Sequence, residues 1–407
     1  MPGGETGPTR RDGRAAFLGG KSIESLTQAR CRTYLPSSLR TVTALAICAF
    51  FLGLPRLALA GDLDPTPERL VLQPPNLPAG ETCQSIAASP DKALAAGTLP
   101  TSLNCRPDNM AFRNYVSELG FAIAPTANYP ARTTGIACIA LTIEAAYTKV
   151  NSDGQSIGDD RSTTSYWRKG TQGSKDTGSN QFSRENTSPN SLLSVYTLNA
   201  RKGLPFGFEL VGALGTISGS SLWVVGADAR WSLLEGFRSG ALGVLPDFSV
   251  GGGVRTLTGT SKFHLTAVGF DVKASKPIPI ADSATLTPHV GYQRLFIFGD
   301  STITDFTPNT DALRECGYAG PDPRTGVPSC RNKLASGADN NVDFNNFATF
   351  DKVRVHRHRM MFGATYKYEI LYVGGQFLID ATPPDSENYG LQSTRQWTLS
   401  LEGGVFF

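Results

Sequence analysis

The stretch SLWVVGADARWSLL, residues 221–234, separates two readings of an all-β chain. Trp223, Val225, Ala227, Ala229, Trp231 and Leu233 fall on one face, with Gly226, Asp228, Arg230 and Ser232 on the other. This is the period of two that a β-strand imposes. Strands of a soluble sandwich and of a membrane barrel both alternate, and differ in what the apolar face meets. Here two tryptophans bracket the apolar stripe. Set eight residues apart, at ~3.3 Å per residue and a tilt of ~40°, they span roughly 20 Å, close to the ~25 Å apolar band between the aromatic girdles of a membrane barrel.

The same alternation recurs along the chain. Ile139, Leu141, Ile143, Ala145 and Tyr147 oppose Thr142, Glu144 and Thr148, and Phe206, Phe208 and Leu210 oppose Glu209. Ten strands are expected, near 135–149, 191–201, 205–217, 220–233, 246–258, 262–275, 283–299, 351–369, 370–381 and 394–407. The fold class this implies is an antiparallel up-and-down transmembrane β-barrel. The seventh strand is the exception, because Arg294 shares a face with Val290, Tyr292, Phe296 and Phe298. A β-bulge or a place at headgroup level would resolve it. A soluble all-β domain is the rival reading, and it requires protein rather than lipid to cover the aromatic stripes.

Loop lengths give an independent check. The long connections 151–190, 300–350 and 382–393 follow the first, seventh and ninth strands, whereas RKGLP and YEI follow the second and eighth. Long loops therefore gather at one end and short turns at the other, as in barrels of the outer membrane.

The first 60 residues read differently. A basic stretch leads into TVTALAICAFFLGL (41–54) and closes with Ala58, Leu59 and Ala60 before Gly61, the pattern of a cleaved export signal. Of the chain's 38 Lys/Arg and 35 Asp/Glu, 8 and 3 lie in this leader, which leaves 30 against 32 and a net charge of −2. The basicity belongs to the leader, so a nucleic-acid partner loses its support. Residues 61–132 form a Pro-, Ala- and Ser-rich N-terminal segment, periplasmic or plug-like, mostly irregular with one short helix in MAFRNYVSELGFAI (110–123). Residues 133–407 form the barrel.

Export permits disulfides. Five cysteines follow the leader, and the simplest pairing joins Cys83 with Cys105 and Cys316 with Cys330, leaving Cys138 over. No CxxC accompanies them, so no metal site is expected.

The chain ends QWTLSLEGGVFF, residues 396–407, with Trp397, Leu399, Leu401, Val405 and Phe407 on one face. With the export signal and the alternating strands, this ending resembles the β-barrel proteins of the Gram-negative outer membrane. The resemblance implies that these five residues are the signal read by the barrel-assembly machinery. It implies partners in outer-membrane lipid and lipopolysaccharide, and an aromatic girdle that includes Tyr147, Trp223, Trp231 and Trp397. It names a class and no activity.

Inward-facing positions by this pattern are Glu144, Glu209, Asp228, Arg230, Arg255, Asp271, Lys273, Arg357, Arg359, Lys367, Glu369 and Glu402. Both signs are present, which fits either an ion-pair network filling a narrow barrel or a charge-selective channel wall. The basic stretch RVHRHRMM (354–361) alternates Arg354, His356 and His358 with Arg357 and Arg359; the first set would meet lipopolysaccharide phosphates or form a solvated strand end. Neither a GxSxG elbow nor a P-loop is present, and GGGVR (251–255) supplies small residues to a strand. No catalytic residue and no cofactor is expected. The functional expectation is passive passage of a small solute, with two alternatives: a closed barrel presenting loops for binding or adhesion, or an outer-membrane hydrolase.

Overall fold

The computed structural model describes residues 62–72, 106–136, 138–152, 163, 165–173, 186–233, 245–281, 284–306, 318–321, 324, 328–330, 347–382 and 395–406. The leader, Cys83, Cys105, the Cys316 and Cys330 side chains and Phe407 lie outside those described.

Ten antiparallel strands make the barrel: β1 (Ile139–Lys149), β2 (Leu192–Gly203), β3 (Phe208–Ile217), β4 (Trp223–Ser232), β5 (Asp247–Thr258), β6 (Phe263–Ser275), β7 (Ala284–Ser301), β8 (Val353–Tyr368), β9 (Leu371–Asp380) and β10 (Trp397–Phe406). Each pairs with the next, and β10 pairs with β1 from Thr398↔Thr148 to Phe406↔Ala140. The sheet is closed, which removes its edges. No helix is long and apolar enough to cross a membrane.

The alternation read from the sequence holds. Along β4 Trp223, Val225 and Trp231 are exposed while Val224, Asp228 and Arg230 are buried. The outer face is thus mainly apolar, whereas the inner face is polar through the middle and toward the turn end and apolar at the loop end, where Leu193, Val195, Leu257, Leu265, Leu295 and Ile297 are buried. The β7 exception is not a bulge: its register against β8 runs unshifted from Ala284↔Tyr368 to Gly299↔Val353, and Arg294 is exposed on the outer face.

Long connections, 150–191, 302–352 and 381–396, share the loop end with two tight turns, 218–222 and 259–262; the opposite, turn end carries the short 204–207 and 369–370 and the longer 233–246 and 276–283. The inner side of the barrel is occupied by the chain's own N-terminal part. Helix α1 (Asn109–Ile123) starts at the loop end, where Asn109 Nδ2 donates to Asp351 at 2.7 Å. Asp108 caps it by accepting from the Ala111 amide at 2.9 Å. It ends at Ala124 in extended conformation (ψ 151°), as the residue before Pro125 must. Residues 125–134 continue inside the barrel to the turn end, where the Thr134 amide donates to Glu209 at 2.7 Å.

Twelve of the fifteen residues of α1 are buried. Phe112, Tyr115, Val116 and Leu119, expected to share a side, pack under an aromatic cluster at the loop end: Phe112 stacks on Phe350 at 4.4 Å, and Tyr115 meets Trp167 edge-on at 4.8 Å. The contact with β7 is reciprocal. A Cβ on Gly120 would collide with Ile297, and one on Gly299 would sit 2.5 Å from Val116 Cγ1.

Residues 62–72 also lie at the loop end. The Leu63 amide donates to Gly219 O at 2.9 Å, Ser221 N donates to Asp64 at 2.6 Å, and Lys262 pairs with Glu68 at 2.7 Å. Val71–Leu72 pairs antiparallel with Arg106–Pro107. The short helix α2 (Tyr166–Gly170) buries Tyr166 and Trp167.

Candidate functional site: the filled lumen

Period two places every second side chain of a strand on its inner face. Of the twelve inward candidates, Glu144, Glu209, Asp228, Arg230, Arg255, Asp271, Lys273, Arg357, Arg359 and Glu402 are buried. Lys367 is half-buried, its Nζ 4.6 Å from the Phe406 ring. Glu369 is a correction: it is exposed in the two-residue turn between β8 and β9, at φ 49°. The strand ends at Tyr368, and in the turn that follows facing no longer follows parity.

The structure brings the buried ten together around residues 121–134. Lys273 Nζ donates to the carbonyls of Ala127 and Tyr129, the latter at 3.2 Å. Arg230 donates to Pro130 O and, at 2.8 Å, to Arg132 O. Arg359 reaches Phe121 O at 3.2 Å and Pro125 O at 2.9 Å. The last carbonyls of a helix and those of extended backbone without a ladder partner are left unsatisfied; here the wall's cations satisfy them. The rings help too: Arg230 and Lys273 stand 4.2 and 4.5 Å from the Tyr129 ring, and Arg357 and Arg359 stand 4.6 and 4.8 Å from Phe121.

Carboxylates complete the arrangement. Asp228 holds Arg255 bidentately, at 2.5 and 2.9 Å, and Glu209 pairs with Arg230 at 2.8 Å. Glu144 accepts from Thr126 at 2.5 Å and Ser400 at 2.5 Å, and Glu402 accepts from Thr142. The glycine run in β5 makes room, since a Cβ on Gly253 would collide with the Asp228 carboxylate. Buried charges are tolerated when paired and hydrogen-bonded.

Sequence reasoning missed five members. Arg201 and Asp380 join the network, with Arg201 3.7 Å from Glu209 and Asp380 paired to Arg357. Gln293, Gln376 and Gln396 donate to or accept from the same segment and wall: Gln293 Nε2 to Pro125 O at 3.1 Å, Gln376 Nε2 to Thr126 O at 2.7 Å, Arg357 to Gln396 at 2.5 Å. Their inward parity was readable. What was not readable is that a peptide backbone, rather than water or a solute, faces them.

At the loop end Glu118 of α1 ties the segment to the first loop. It accepts from Tyr166 Oη and Trp167 Nε1 at 2.7 Å each, and from the Asn151 amide at 2.8 Å. Burial raises the Glu118 carboxyl above the usual carboxylate range, against the opposing pull of these donors and of Arg357.

Histidines do not assemble. His289 is buried and bonds Gln376 at 2.9 Å, while His356 and His358 face outward. Among the described residues no group of three or more His, Cys, Asp or Glu is placed to hold a metal. Cys138, left over by the simplest pairing, is buried and disulfide-bonded, to a cysteine whose side chain is not among those described.

No family model and no curated protein sequence matches this chain. Solved structures do. The N-terminal barrel domain of OprF from Pseudomonas aeruginosa is 8% identical over 66% of this chain and 97% of its own, with a TM-score of 0.23. The attachment invasion locus protein Ail of Yersinia pestis is 10% identical over 67% and 99%, at 0.21. LpxR from Salmonella typhimurium is 9% identical over 64% and 99%, at 0.23. Likenesses this distant add nothing to what the barrel itself establishes.

Proposed function

We propose that the protein is an exported outer-membrane barrel, closed by its own N-terminal segment, that works through the surface at its loop end. The carrying observation is the course of residues 106–136: they run the length of the barrel, and Arg230, Lys273 and Arg359 bond their backbone. An open channel of this size would present those cations to water. Passive solute passage therefore becomes the second reading, one that requires release of the segment. Among the described residues the hydrolase reading finds no constellation: His289 is buried in the lumen, apart from the outward His356 and His358.

In this reading 1–60 is the removed leader, the last strand is the assembly signal, and the loop end faces outward. Residues 62–72 and α2, themselves mostly buried, then close that end beneath the loop after β7. The backbone of that loop pairs Tyr318–Pro321 with Pro328–Cys330, a shaped element suited to recognition or to resisting proteases. A single cysteine introduced at Lys352, whose side chain is 74% exposed in the loop after β7, probed on intact cells with a membrane-impermeant maleimide in a chain whose native cysteines are disulfide-bonded or replaced, tests this. Labelling is expected at Lys352 and not at Glu369. The reverse pattern would invert the orientation, and labelling of neither would remove the display reading.

A further inference from the structure

The outer surface carries one charged sector. On the outward faces of the eight strands other than β7 and β8, the described charged side chains are only the terminal Lys149 and Lys202, with His264 near the start of β6. On β7 and β8 the outward positions include Arg294, Arg354, His356 and His358. Cross-strand register sets them together: Arg294 opposes His358, Phe296 opposes His356 and Phe298 opposes Arg354. Tyr292 Oη bonds His358 Nδ1, and the His356 and Phe296 rings meet edge-on at 4.9 Å. Lys352 and Asp300 pair beyond them at 3.4 Å.

Height follows from the strand. Tyr366, exposed toward the turn end of β8, lies eight residues from His358. That interval projects to roughly 20 Å, the span between the two tryptophans of β4. Arg294 and His358 therefore come level with the outer girdle, and Arg354 lies beyond it. The Arg294 guanidinium lies 5.3 Å from the ring of Phe296, the next outward residue toward the loop end. A long cationic side chain in an apolar band bends this way, toward the headgroups.

Arginine in an aromatic-flanked setting at headgroup height is suited to phosphate, which it grips with a fork of donors. We propose that the outward sector of β7 and β8 is a binding site for a lipid whose headgroup carries phosphate, held by Arg294 and Arg354 with His356 and His358 between them. This rests on the reading that the barrel spans a membrane with its loop end outward.

The test uses the full chain after leader removal, refolded in detergent micelles and shown folded by heat-modifiable migration. Native mass spectrometry measures retention of lipid A bearing both phosphates and of lipid A stripped of them. The phosphorylated form is expected to be retained selectively, about tenfold or more weaker in Arg294→Gln/Arg354→Gln, and unchanged in Lys202→Gln. Equal retention of the stripped lipid, an unaffected double variant, or displacement by millimolar inorganic phosphate would each overturn the site. Failure of the membrane reading looks different: protein that takes up no detergent and migrates alike heated and unheated overturns both.

Discussion

Glu118 concentrates the chemistry of the loop end in one side chain. Three donors from the first loop converge on it inside the barrel. Glu118→Ala leaves buried donors without an acceptor, at about 1–3 kcal/mol each, and is expected to admit protease to residues 163–173 in a barrel that otherwise stays folded; limited proteolysis checks this. Glu118→Gln can accept from Trp167 and Asn151 while donating to Tyr166, and should behave nearly as wild type. The sign of its pH dependence follows from its raised pKa. A carboxyl held higher in the fold than in the unfolded chain stabilises fully below the unfolded value and less as pH rises through the folded one. Corrected for the base-catalysed rise of intrinsic exchange, the protection of α1 amides should therefore fall in wild type as pH rises above the usual carboxylate range through the raised folded value, and stay flat in Glu118→Gln. Residue-level facing was legible because parity is a local property: it placed Asp228, Arg230 and Lys273 inside, and failed at Glu369 where the strand had ended. Arg294, the misfit in the pattern, was a true outward charge rather than an error of register.

Among the elements, α1 and β7 fit each other most closely. Gly120 lies against Ile297, and Val116 against Gly299. Gly120→Val adds volume where nothing can yield cheaply, and should destabilise the docked helix by about 1–3 kcal/mol, read as a lower temperature for the loss of α1 protection in hydrogen exchange. The barrel's own heat-modifiable migration should persist, because its ladder closes without the helix. All ten strands and the helix were visible in the sequence, since both carry periodic apolar patterns. The destination of the helix was not. Nothing in MAFRNYVSELGFAI states which surface covers it, and its polar Asn114, Ser117 and Glu118, all buried, read as a solvated side until the polar inner wall of the barrel is seen to meet them.

The whole molecule is a chain that fills its own barrel. Wall cations bond the carbonyls of residues 121–132, so removing one should loosen the segment without opening the sheet. Arg359→Leu leaves the Phe121 and Pro125 carbonyls without that donor, and is expected to raise amide exchange over residues 121–130 by roughly five- to 150-fold, the equivalent of about 1–3 kcal/mol of lost protection, while β-strand protection holds. Composition and parity narrowed the molecule to a narrow barrel with a charged interior; whether that interior held ion pairs, water or chain depended on contacts far apart in sequence, such as Arg359 with Phe121. Single-channel conductance in a planar bilayer tests this account most directly, comparing the chain after leader removal with a variant that also lacks residues 62–132, each shown folded by heat-modifiable migration. The account predicts silence from the first and discrete steps from the second. Steps of equal size from both would contradict it, because the lumen would then conduct with the segment in place.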